Sequence, residues 1–319
     1  MTTDPRNITW HDAQQLGVEG KGWADTPGFF DRLPAHAQDR VTEAVWNLSK
    51  EPAGLSVGFA TDATEIWVSW AVSNAPEPGP ARPAVAHSGL DLYGEIDGRM
   101  RWAMAVPPST GRQTTAVIRE DFAPGFRAYR LYLPYMNQVQ QLAIGTPNDA
   151  RFEPVAPRAD RPIAYYGTSI VHGHAASRPG LTHANQLGRR LNLPLLNLGF
   201  SGSAKCEPDL ARLFTELDPR LWMIDPVPNM TVAEIDERVV TFVQTLADAR
   251  PDTPIAMVAG RRFSNEPFLA QMGAEYDARD AAYRKAYDTL VERGVKTLHY
   301  VDGADLIGHD GEGTMDGSH

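Results

Sequence analysis

Hydrophobic residues alternate with smaller or polar ones along much of the first half of the chain. Leu55, Val57 and Phe59 take every second position, as do Ile66, Val68 and Trp70, and again Tyr129, Leu131 and Leu133. A period of two puts these side chains on one face of an extended backbone, so the pattern predicts strands with one face buried. Turn residues separate them: Asp62-Ala63-Thr64, Asp97-Gly98 and Pro124-Gly125. The stretch Pro76-Glu77-Pro78-Gly79-Pro80 lacks the N–H groups a sheet interior needs and predicts an exposed loop. An antiparallel β-sandwich or jelly-roll over residues 1–150 follows from these signs.

The period changes in the second half. Runs at 163–166, 195–200, 221–225, 255–259 and 297–301 are short and mostly apolar, as expected of strands covered on both faces. Helix-like segments at 183–191, 208–217, 232–249 and 276–293 lie between them. Strands alternating with helices predict an α/β domain over residues 151–319, a parallel sheet flanked by helices. The Pro-, Asp- and Ala-rich stretch 145–161 reads as the junction. In such sheets functional residues belong in loops at the carboxyl ends of strands. Ser169, Gly202 and Asn229 each fall just after a predicted strand.

Composition narrows the function classes. The 319 residues, 42% of them hydrophobic, suffice for a large core in one or two domains. A net charge of −10 argues against nucleic acid as partner, since phosphate backbones call for a basic footprint. No apolar run approaches the roughly 18 residues of a membrane span, so none is expected. The N-terminus lacks the charged and apolar regions of a signal peptide, which makes a soluble, cytoplasmic protein the default expectation, or a secreted or periplasmic one if a leader has been removed. The single Cys206 excludes an internal disulfide and a cysteine-based metal site, and reads as an inert small residue.

Four places carry candidate chemistry. Ser169, in Tyr166-Gly167-Thr168-Ser169-Ile170, sits where an apolar strand enters a glycine-led turn that exposes its hydroxyl. A serine needs a base to take its proton, and Asp316-Gly317-Ser318-His319 supplies an imidazole with a carboxylate three residues earlier. That carboxylate can hold one ring nitrogen and leave the other for the serine. Gly202 offers a backbone N–H and Asn229 a side-chain amide toward a tetrahedral oxyanion, with the N–H of Ser169 as a third donor. Each also has a plain structural alternative: a helix cap for Ser169 and Asn229, a turn for Gly202 and a solvated tail for the final residues.

Taken in chain order, these places resemble the signature blocks of the SGNH/GDSL hydrolase superfamily. The blocks are Gly167-Thr168-Ser169-Ile170, Asn197-Leu198-Gly199-Phe200-Ser201-Gly202, Asp225-Pro226-Val227-Pro228-Asn229 and Asp316-x-x-His319. The first half is similar to the β-sandwich that precedes one bacterial branch of these enzymes, through Gly89-Leu90-Asp91-Leu92-Tyr93; Ala176-Ser177-Arg178-Pro179-Gly180 is typical of the same branch. The resemblance implies a flavodoxin-like sheet, Ser169 as nucleophile, His319 as base, Asp316 as its orienting acid, and Ser169, Gly202 and Asn229 around the oxyanion. It also implies a serine esterase or acylhydrolase acting on short-chain esters, acetyl groups on carbohydrates among them, with no cofactor. A transacylase, or a carbohydrate-binding protein whose hydrolase half is inactive, are the rivals. Thr168 stands where the family usually has Asp. Relatives continue past the histidine with Pro and a helix, whereas this sequence stops at His319. A shortened chain whose base sits on a frayed end is therefore expected.

Other polar residues are open to both structural and functional readings. His172-Gly173-His174 invites a metal but lacks a third ligand, so no metal site is expected there. Arg178 reads either as a contact to the substrate or as half of a structural salt bridge. Asp91 and Tyr93 read as a hydrogen-bonding pair holding the sandwich. Six of seven tryptophans lie in the first half, where packing is the ordinary role and stacking on sugar rings the alternative.

Overall fold

The computed structural model describes residues 7–269, 272–304, 306–308 and 312–319. The chain forms two compact units. One comprises the chain up to Pro34, Ser49–Asp160 and Ala176–Pro194; the other comprises Ala35–Leu48, Arg161–Ala175 and Leu195–His319.

The first unit is built from β1 (Ile8–Asp12), β2 (Val18–Glu19), β3 (Ser56–Thr61), β4 (Ile66–Val72), β5 (Leu90–Ile96), β6 (Arg99–Val106), β7 (Gln113–Arg119), β8 (Arg127–Tyr132), β9 (Val139–Pro147) and β10 (Phe152–Pro154). They pair antiparallel into one sheet ordered β1-β9-β4-β7 and another ordered β10-β3-β8-β5-β6, with β2 beside β3. Val57, Phe59, Leu92 and Leu131 from one sheet and Val68, Trp70, Leu142 and Ile144 from the other share a single buried cluster, which makes the unit a sandwich. The alternation at 66–70 survives intact: β4 is buried at every second residue. Asp97 and Gly98 both take positive φ, 52° and 70°, as a two-residue hairpin turn between β5 and β6 requires. Residues 145–161 are not all junction. Gly145–Pro147 close β9 against β1, and β10 adds an edge to β3. Both pairings join segments far apart in sequence, so local composition could not reveal them.

The second unit holds a parallel sheet of β11 (Ile163–Gly167), β12 (Leu195–Gly199), β13 (Leu221–Asp225), β14 (Ile255–Val258) and β15 (Leu298–Val301). Its order is β12-β11-β13-β14-β15, the 2-1-3-4-5 order of flavodoxin-like sheets. Seven α-helices are assigned among the described residues: α1 (Glu43–Ser49), α2 (Ala84–Ser88), α3 (Ser169–His172), α4 (His183–Arg190), α5 (Pro208–Phe214), α6 (Val232–Ala249) and α7 (Met272–Glu292). Helix α6 buries Ile235, Val239, Phe242, Val243 and Leu246, the i, i+4, i+7, i+8 and i+11 stripe of an amphipathic helix. It starts at a capping box in which Thr231 and Glu234 exchange side-chain and backbone hydrogen bonds. Among the described residues no helix is long and apolar enough to cross a membrane.

Arg178 belongs to the first unit. Its Nη1 donates to Asp91 Oδ2 and to the Tyr93 hydroxyl, each at 2.7 Å, and its guanidinium lies 4.8 Å from the centre of the Trp102 ring. Asp91 is fully buried and also accepts from Gly180 N at 2.8 Å and Trp102 Nε1 at 3.0 Å. Burial pushes its carboxyl up, against the pull of Arg178 and the two N–H donors. A Cβ on Gly180 would stand 2.4 Å from Tyr93 Cε2 and 2.7 Å from Asp91 Oδ2, so only glycine fits. The Asp-Leu-Tyr and Ser-Arg-Pro-Gly stretches thus belong to one buried polar cluster, which gives 176–194 its anchorage in the sandwich unit.

Candidate active site

Parallel register aligns the ends of three strands. Gly167 on β11 pairs with Gly199 on β12 and with Asp225 on β13, so all three sit on one row at the carboxyl edge of the sheet. Ser169, Gly202 and Asn229 follow two, three and four residues beyond that row. β11 lies at the point where the strand order reverses, where such sheets open a crevice. Close packing demands the two strand-end glycines. A Cβ on Gly167 would meet Val171 Cγ2 at 2.4 Å and the Asp225 carbonyl at 2.7 Å; one on Gly199 would meet His172 N at 2.2 Å.

Ser169 begins helix α3. Thr168 is the N-cap, its hydroxyl accepting from Ile170 N at 3.3 Å, so the capping role falls to Thr168 and leaves the Ser169 side chain for other work. Ser169 Oγ lies 2.7 Å from His319 Nε2. The opposite ring nitrogen, Nδ1, lies 2.8 Å from Asp316 Oδ2. Asp316 Oδ1 accepts from the backbone N–H of His319 at 2.8 Å and of Ser318 at 3.0 Å. Burial works against ionising Asp316, but these N–H groups and the His319 ring outweigh it and hold the carboxyl at about 2. The last residues form a bonded turn: Met315 N donates to His319 O at 2.7 Å, and Ser264 N to Gly317 O at 2.9 Å.

Gly202 has φ of +71°, a left-handed conformation that favours glycine, and a Cβ there would meet nothing within 4 Å. Asn229 ends a single 3-10 turn, Val227–Asn229, and does not cap helix α6, since Thr231 does. One end of its side-chain amide lies 3.3, 3.2 and 3.2 Å from the N–H groups of Gly202, Ser203 and Ala204. With Oδ1 at that end, Asn229 accepts from the loop; with Nδ2 there, it donates to Phe200 O at 3.5 Å and gathers donors around one point, as an oxyanion site requires. In both orientations the Asn229 amide lies against the Gly202 loop at the end of β13.

Two features of the site were not legible in the motifs. Asp225 is fully buried and forms an ion pair with Arg261, which is 5% exposed, and a 3.3 Å hydrogen bond with the Tyr165 hydroxyl. Burial pushes the Asp225 carboxyl up, against Arg261. The second is His174. Gly173, at φ +118°, turns the chain after α3, and the N–H groups of Gly173 and His174 both donate to Ser169 O at 3.0 and 2.9 Å. The His174 ring then lies 4.5 Å from that of His319, centre to centre. His172 goes the other way: it is buried, with Nδ1 3.2 Å from Ser201 Oγ. Cys206 is buried too, and burial raises its thiol well above the usual range.

Comparison with known proteins decides the family. Residues 160–319 match the model of the GDSL-like lipase/acylhydrolase family, and residues 8–152 match GxDLY, the N-terminus of SGNH-hydrolase-type esterases. A protein described as a GDSL-like lipase from Bacteroides ovatus ATCC 8483 is 31% identical, with a TM-score of 0.94 over 98% of this chain and 92% of that one. The chain belongs to the GDSL-like lipase/acylhydrolase family. The chain shares its fold with a salicylyl-acyltransferase from a tetracycline biosynthetic pathway, at 20% identity and TM-score 0.71 over 97% of this chain and 85% of that one. It shares it as well with a family two carbohydrate esterase from Cellvibrio japonicus, at 12% identity and TM-score 0.59 over 94% and 90% of the two chains. Among curated proteins, none matches this chain.

Proposed function

We propose that the protein is a serine esterase that works through an acyl-enzyme. The observation that carries this reading is the relay from Ser169 Oγ to His319 Nε2 at 2.7 Å and from His319 Nδ1 to Asp316 at 2.8 Å. Ser169 Oγ attacks the ester carbonyl while Nε2 takes its proton, and Asp316 stabilises the imidazolium that forms. The N–H groups of Ser169 and Gly202 and the Nδ2 of Asn229 receive the oxyanion. The closeness of the Asn229 amide to the Gly202 N–H, 3.3 Å, supports this, because with Nδ2 facing the loop the two donors converge on one oxygen. His319 returns the proton to the leaving alcohol, then activates water to release the acid. The chemistry calls on no cofactor.

The substrate class is a short-chain ester on a small molecule or carbohydrate, with acetyl as the acyl group. Its support is the likeness in fold to a protein named as a carbohydrate esterase, and an acidic chain that favours a neutral partner over a polyanion. Release of acetate from acetylated sugars by the parent, absent in a Ser169→Ala variant, is the expected result; equal release by both removes Ser169 from the mechanism. A second reading, acyl transfer to an alcohol, draws on the likeness to a salicylyl-acyltransferase over 97% of the chain. Product analysis with an added sugar or alcohol acceptor separates the two, since only the acceptor of the acyl group differs.

A further inference from the structure

We propose that His174, Asp316 and His319 form a binding site for one zinc ion, and that zinc bound there switches the esterase off. The inhibitory half of this rests on the serine-esterase reading; the binding half does not.

One ligand atom from each of these residues lies within 4.8 Å of the others. Zinc held by nitrogen and oxygen at about 2.0–2.2 Å spaces its tetrahedral ligands roughly 3.4 Å apart, so contraction of up to about 1.4 Å closes the site. The ligands can make that move. His174 and His319 are partly exposed and Asp316 is exposed, with side-chain exposures of 19% for His319 and 39% for Asp316. Two imidazoles and a carboxylate are the donor set of many zinc sites, and the fourth position stays open to water. The backbone brings His174 there: Gly173 turns the chain back over Ser169, and the His174 N–H is fixed to Ser169 O at 2.9 Å.

Zinc and catalysis exclude each other by lone-pair count. Each His319 ring nitrogen has an assignment in the relay, one to Ser169 and one to Asp316. A metal must take one of those nitrogens. At Nε2 it takes the lone pair that would accept the Ser169 proton; at Nδ1 it displaces Asp316 and leaves the ring proton on Nε2, facing Ser169. Either way Ser169 loses its proton acceptor. The Ser169–His319–Asp316 relay is complete without His174. Ser169 is not a ligand.

The test uses tag-free, chelator-treated protein, titrated with Zn2+ by calorimetry and assayed in parallel on p-nitrophenyl acetate. The parent should bind one zinc, lose activity on binding and regain it with EDTA. Mg2+ and Ca2+, which prefer oxygen ligands, should not inhibit. His174→Ala, compared with its own metal-free rate, should show zinc affinity and zinc sensitivity lowered at least about tenfold, since loss of even an outer partner costs about that much. Ser169→Ala should still bind zinc. No zinc binding by the parent, or equal binding by His174→Ala, overturns the proposal. If zinc binds through His174 but the metal-free parent cleaves no ester, the site stands and the esterase reading falls.

Discussion

Asn229 offers a substitution whose structural and catalytic effects can be pulled apart. Its amide lies 3.2–3.3 Å from three N–H groups of the Gly202 loop and 3.5 Å from Phe200 O, at or past the long end of the usual range. Its Nδ2 is the proposed oxyanion donor. Asn229→Ala removes both the contacts and the donor. Such long contacts contribute about 1–2 kcal/mol together, by the usual net worth of hydrogen bonds. That leaves a domain with an ordinary margin of 5–15 kcal/mol still folded, roughly, so the protein assayed is native. Loss of one oxyanion donor costs about 3 kcal/mol in the transition state, or on the order of a hundredfold or more in kcat. Asn229→Asp isolates the second effect. A carboxylate can accept the three N–H groups beside it, so stability is held, but it donates nothing and repels the oxyanion. The aspartate variant should therefore match the parent in urea denaturation while its kcat on p-nitrophenyl acetate falls at least as far as in the alanine variant. A kcat within about tenfold of the parent would refute donation by Asn229. So would an activity loss in Asn229→Ala no larger than its unfolded fraction.

Arg178→Ala should destabilise the sandwich unit by about 3–5 kcal/mol in chemical denaturation, because Asp91 stays buried without its cation; a loss below about 1 kcal/mol would show the pair to be dispensable. Gly167→Ala should cost about 1–3 kcal/mol or more, since its Cβ meets Val171 and the Asp225 carbonyl below contact distance; an unchanged denaturation midpoint would contradict the packing at the end of β11. The acid limb of kcat/KM should follow one proton. The depressed Asp316 carboxyl contributes its stabilisation above its unfolded value and loses it as pH falls through about 2, so it stays ionised in mild acid and adds no second proton to that limb. A limb with a slope of two would bring in a second group.

Much of the parallel sheet could be read from the chain because strands covered on both faces are bare apolar runs. Residues 221–225 are β13 as expected, and 232–249 are α6 as expected. The sandwich was legible as alternation but not as pairing. β1 with β9, and β10 with β3, join residues more than ninety positions apart, and no local period encodes that. Short helices such as α1 and α2 lack the length for a periodic signal. In the site, position just after a strand end points to Ser169, Gly202 and Asn229 from the sequence alone. The capping question at Asn229 was also answerable in advance, since Thr231-x-x-Glu234 is a capping box. His174 was not, because a positive-φ glycine and the chain terminus together bring it beside His319.

The most direct test of the account is where an active-site-directed fluorophosphonate attaches. Peptide mass spectrometry should find one adduct, on Ser169 Oγ, formed in the parent and abolished when His319 is replaced by Ala. An adduct at any other residue, or an unlabelled protein that binds acetylated sugar without turnover, would contradict a nucleophile activated by His319.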